Sequence, residues 1–123
     1  MKLELYSSRI AVSESTQTYV ERRLSFALGR FADMIHGIVV RLEDSNGPRG
    51  GIDKLCNMRV QLIGQKNPLI AEVVDLEIRA AVDMAADRIG RAVARQLDRR
   101  TARRSSSRSQ FERTGVELEE VMS

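Results

Sequence analysis

The chain has no tryptophan, one cysteine, one histidine and two prolines in 123 residues. A lone Cys56 excludes an internal disulfide and any cysteine-rich zinc site. A lone His36, set beside Gly37 at the start of an apolar alternation, leaves no material for a multi-histidine metal centre or a catalytic triad. Cys56 alternates in phase with Met58 and Val60, which reads as a small core side chain rather than a nucleophile lacking an activating base. No apolar run approaches the roughly 20 residues that span a bilayer. The opening MKLELYSS alternates instead of forming the continuous apolar stretch of a signal peptide. The glycines of NGPRGG are not followed by the Lys-Ser/Thr of a phosphate-binding loop, and no G-x-G-x-x-G occurs. A non-enzymatic, cytoplasmic protein without cofactor, metal, membrane or small-molecule substrate is expected.

What is present is arginine. Twenty basic residues stand against seventeen acidic ones, and seventeen of the twenty are Arg, whose planar fork of donors suits phosphate. The distribution is uneven. From Arg79 to Arg108 nine arginines face only Asp83, Asp87 and Asp98, whereas the last fifteen residues set Arg113 against Glu112, Glu117, Glu119 and Glu120. A basic block followed by an acidic terminus suggests a polyanion-binding surface with a charged appendage.

Periodicity orders the elements. Lys2 to Tyr6 alternates as a half-buried strand. Ser13 is a helix N-cap, and Val20, Leu24, Ala27, Leu28 and Phe31 share one arc of a helix reaching about Phe31, with Gly29 weakening its last turn. Ile35 to Leu42 and Lys54 to Ile63 read as strands, the first with Ile38, Val40 and Leu42 inward, the second with Cys56, Met58, Val60 and Leu62. The turn-rich EDSNGPRGGID joins them. A further strand runs from Leu69 to Val74. Asp75 then caps a helix from Leu76 to about Arg100, striped by Ile78, Val82, Ala85, Ile89, Val93 and Leu97.

The order β-α-β-β-β-α predicts an α+β two-layer sandwich, a four-stranded sheet with both helices on one face. Its first two strands are parallel if they are neighbours. Residues 1–100 are the domain, and 101–123 a flexible tail, Ser/Arg-rich and then acidic, with nothing to bury. A ferredoxin-like fold would need one more strand, for which GVEL at 115–118 is a poor candidate.

On the last helix Arg88, Arg91, Arg95 and Arg99 recur within an arc of about 80°, centred roughly 130° from the apolar stripe. Steps of about 5–6 Å between such neighbours are close to the spacing of adjacent phosphates. Arg22, Arg23 and Arg30 add charge on the first helix, with Arg23 and Arg30 sharing a flank with Tyr19 and Phe26. With so few aromatics, contacts are expected to be mainly Arg to phosphate, sensitive to salt rather than sequence.

The element order, the capped YVERRL and the passage IAEVVDLEIRAAVDMAADRIGRAVARQLDRR resemble the ribosome hibernation-promoting factor and ribosome-associated inhibitor family, over about residues 1–100. The resemblance implies a fold akin to double-stranded-RNA-binding domains. It also implies a translation inhibitor that binds small-subunit rRNA in the decoding channel and blocks mRNA and tRNA sites under stress or in stationary phase. Under it Arg23, Arg88, Arg91 and Arg95 fall on basic positions of the family, with Arg30 and Arg99 as looser matches. The chain departs from the family in Arg79, where an aromatic often stands, in its glycine-rich loop, and in lacking the extra C-terminal domain of long members. The charged tail resembles short inhibitor-type members, which leave the ribosome as an inactive monomeric particle. The alternative reading is a non-catalytic protein-interaction module that regulates a partner protein.

Overall fold

The structure, a computed structural model, describes residues 2–8, 12–44 and 54–112, with side chains in the last stretch as far as residue 101. Strand β1 (Leu3–Ser8) leads to helix α1 (Glu14–Leu28), which continues as a short 3₁₀ segment over Gly29–Met34. Strands β2 (Ile35–Asp44), β3 (Lys54–Leu62) and β4 (Leu69–Asp75) follow, and then helix α2 (Ile78–Glu112). This is the expected β-α-β-β-β-α order.

Local chemistry explains the boundaries. Ser13 caps α1 as its spacing predicts, its hydroxyl accepting from the Thr16 amide at 3.2 Å. The α-helical bonding gives way at Gly29, so the segment expected to reach Phe31 as α-helix tightens to 3₁₀ there. Asp75 accepts from the Glu77 amide at 3.2 Å, while the Glu77 carbonyl takes the first helical bond, from the Ala81 amide at 3.0 Å. Asp75 thus orders the turn before α2, and the helix starts at Ile78 rather than Leu76. At the other end α2 runs to Glu112 where the loss of apolar period suggested a stop near Arg100. No Gly or Pro lies between Arg91 and Thr114, so no helix breaker stops α2 where its apolar stripe ends. The EDSNGPRGGID loop falls mostly, and GVEL wholly, outside the described residues.

The strands form one sheet in the order β1-β2-β3-β4, β1 parallel to β2 and the other neighbours antiparallel. Parallel pairing of β1 and β2 follows from the crossover through α1. Both helices cover one face, and the register lines up the core in rows across the strands. Leu5, Val40, Met58 and Ala71 form one row; Leu3, Ile38, Val60 and Leu69 form the next. Val20, Leu24 and Leu28 of α1 and Ala81, Val82, Ala85, Ala86, Ile89 and Val93 of α2 are buried as well. Each fully buried Val, Leu or Ile contributes about 1.5–3 kcal/mol.

A third row, Asp44, Lys54 and Asp75, closes the core at one end with charge. Lys54 Nζ lies 3.2 Å from Asp44 Oδ2, a nearly buried ion pair at the base of the β2–β3 connection. The opposite sheet face is open to solvent and carries Tyr6, Arg41, Asn57 and Glu72 in one row.

Candidate nucleic-acid interface

The chain divides into two compact units, Met1–Gly90 and Arg91–Ser123, with the division inside α2. In the first unit, α1 and the start of α2 meet along a polar seam. Asp83 is its centre. Arg23 Nε lies 2.9 Å from Asp83 Oδ1, and Arg23 Nη2 donates to the Asp83 carbonyl at 3.1 Å. The Tyr19 hydroxyl donates to the same carboxylate oxygen at 2.5 Å. That hydrogen bond, then desolvation, holds the phenol above its ordinary pKa of 10.0. The Arg79 guanidinium stands over the Tyr19 ring at 4.7 Å and donates to Ser15 Oγ at 2.9 Å. Farther along, Gly90 lets the helices approach closely: a Cβ there would sit 3.4 Å from Ala27.

The predicted site residues of this unit are therefore not alike. Arg23 is held in the seam by Asp83. Arg30 is exposed on the 3₁₀ segment, its guanidinium 4.5 Å from the centre of the Phe31 ring. Arg88 is exposed, on a flank of α2 turned about 140° from Asp83 by the helical repeat. Arg23 of α1, at Asp83, and Arg88 thus lie on different sides of α2. In the second unit Arg91 and Arg95 are exposed on either side of buried Val93, and half-buried Arg99 donates to Gln96 Oε1 at 3.3 Å.

Sequence reasoning missed Asp83, which it counted as one acid among nine arginines. Its partners Tyr19 and Arg23 are about 60 residues away, and only the packing of α1 on α2 joins them. The one available signal was the flank shared by Tyr19 and Arg23.

Cys56 is buried in β3, and burial pushes its thiol from an ordinary 9.0 up to about 12, which leaves it neutral and unreactive at physiological pH. His36 is exposed beside an irregularity in the β2–β3 register between Ile35 and Gly37. Among the described residues no three His, Cys, Asp or Glu gather as a metal site, and no helix is long and apolar enough to cross a membrane.

A one-sided α+β sheet, two helices on its covered face and exposed arginines along the second helix define the class: a small domain with a basic helical surface. The chain belongs to the sigma 54 modulation protein / S30EA ribosomal protein family, whose description matches residues 3–101. That family is ribosome-associated and of the hibernation type. Among solved structures it is similar to a ribosomal subunit interface protein from Coxiella burnetii, at 15% identity and a TM-score of 0.66, covering 80% of this chain and 99% of that one. It is also similar to the N-terminal domain of Protein Y from Thermus thermophilus, at 23% identity and a TM-score of 0.63, covering 76% and 96%. Both likenesses show the fold. A comparison with curated proteins gives no match.

Proposed function

We propose that the protein is a cytoplasmic translation inhibitor that binds small-subunit rRNA in the decoding channel and blocks the mRNA and tRNA sites under stress or in stationary phase. The observation that carries this reading is the exposure of Arg88, Arg91 and Arg95 along α2 in a member of a ribosome-associated family. The name of its Coxiella structural relative, a ribosomal subunit interface protein, agrees with it. Three guanidinium groups at helical spacing match the repeat of a sugar-phosphate backbone and supply charge-assisted hydrogen bonds to it.

Arg99, held by Gln96, and Arg30, stacked on Phe31, stand as flanking contacts. Arg23 serves the site by fixing α1 against α2 through Asp83. In this reading residues 1–100 bind the ribosome and 101–123 are a charged appendage. No step of chemistry is required of the protein; occupancy alone inhibits.

The test is the triple substitution Arg88→Glu, Arg91→Glu, Arg95→Glu. All three side chains are exposed, so the circular dichroism spectrum and urea midpoint stay close to wild type. Co-sedimentation with small subunits is lost. A folded triple variant that sediments with ribosomes as wild type does removes α2 from the interface.

A further inference from the structure

Phe26 is 85% exposed, on the outward side of α1. It follows Arg22 by one turn of α1 and precedes Arg30, which stands on the 3₁₀ extension with its guanidinium over the Phe31 ring. Arg22 and Arg30 have no carboxylate partner among the described residues. A third cation, Arg23, lies 5.9 Å from the Phe26 ring centre and is held there by Asp83. Along the ridge Thr18, Tyr19, Arg22, Arg23, Ser25, Phe26 the bordering acids are Glu14 and Glu21, one turn before Thr18 and Ser25. Next to it is a shallow concavity lined by Glu14, Ser15, Thr18, Tyr19, Arg22 and Arg79.

We infer that this ridge binds single-stranded RNA, with one unpaired base stacked on Phe26 and its flanking phosphates on Arg22 and Arg30. The occupant follows from chemistry. An exposed ring with Arg22 one turn before it and the seam-held Arg23 beside it favours a partner that offers a flat π-face and negative charge together, as a nucleotide does. A plain apolar protein surface would leave the arginines unanswered. An acidic peptide would satisfy the arginines but not the ring. Arg23, locked in the seam, places its cation beside the ring before any ligand arrives. The concavity gives the next phosphate along the strand the Arg22 guanidinium and the Thr18 hydroxyl, with Arg79 held against Ser15 and Tyr19 at its side and Glu14 in the same lining. This second contact rests on the reading of the protein as an RNA binder, and adds a base-stacking element to what α2 does by charge.

The chain has no tryptophan, so Phe26→Trp in the full-length protein creates a single fluorophore at the ridge. Titration with a short oligoadenylate quenches its emission to saturation; the same sequence in duplex, or polyglutamate, quenches it far less. Phe26→Ala weakens binding of the single strand about ten-fold, in line with the loss of one base–aromatic stack. Phe26→Leu does not restore it and Phe26→Trp does. Equal affinity of wild type and Phe26→Ala, or stronger response to polyglutamate than to RNA, overturns the ridge.

Ribosome co-sedimentation separates this inference from the α2 assignment. Loss in the α2 triple variant with full binding by Phe26→Ala sinks the ridge alone. The reverse pattern sinks the α2 assignment and keeps the ridge. Full binding by both variants sinks both.

Discussion

At the scale of single residues, one acid decides how the basic side chains divide. Asp83 takes two bonds from Arg23 and one from Tyr19, so the carboxylate turns a cation that looked available into part of the helix seam. The pair is partly exposed, which limits its contribution. Asp83→Ala is expected to lower stability by about 1 kcal/mol, read as a shift of the urea midpoint. A larger effect falls at alkaline pH. Cys56 ionises ordinarily at 9.0 but only near about 12 in the fold. Its folded pKa is raised, so the stability it supports is whole below the ordinary value and is lost as pH climbs through that interval. Tyr19, raised above 10.0 by its bond to Asp83, acts in the same direction. Urea midpoints measured upward from neutral pH should fall steadily beyond about 9. Cys56→Ala, less stable at neutral pH, should flatten that fall.

At the scale of elements, the helices and strands were mostly legible because their periods are local properties. Alternation at Ile38, Val40 and Leu42 and at Cys56, Met58, Val60 and Leu62 marks the buried side of β2 and β3, and all seven are buried. The stripe Val82, Ala85, Ile89 and Val93 does the same for α2. What periodicity could not show was where α2 ends. An apolar stripe reports contact with a core, whereas a helix can continue without one where no Gly or Pro breaks it, and residues 101–112 contain neither. Nor does it show how near the helices lie. Gly90 stands where a Cβ would just touch Ala27. Gly90→Ala is therefore expected to change stability by no more than about 0.5 kcal/mol, its better helix propensity offsetting the tighter contact. Gly90→Leu is expected to force the helices apart and cost about 1–3 kcal/mol. Thermal denaturation of the two variants checks both.

At the scale of the whole molecule, charge placement matters more than the net +3. The open sheet face mixes signs, with Arg41 in one cross-strand row with Glu72, and Arg59 in one with Glu4. The exposed arginines of α2 and of the Arg22–Phe26–Arg30 ridge are where basic charge gathers. If three arginine–phosphate contacts dominate, ribosome affinity should fall with salt along a double-logarithmic slope of roughly −2, and each Arg→Ala on α2 should lessen that slope by somewhat under one. Binding through an apolar protein interface would leave affinity nearly level with salt, so the same titration decides against the protein-interaction alternative.

The sequence by itself determined the element order, the inward face of each strand and helix, and the concentration of arginine on α2. Each depends on spacing along a few neighbouring residues, which a strand or helix converts directly into a face. Only the tertiary structure decided that Arg23 belongs to a seam while Phe26 remains in solvent, and that Asp44 meets Lys54 at the end of the core. Those outcomes depend on which distant segments pack together, and a partner sixty residues away leaves no mark on local period or composition.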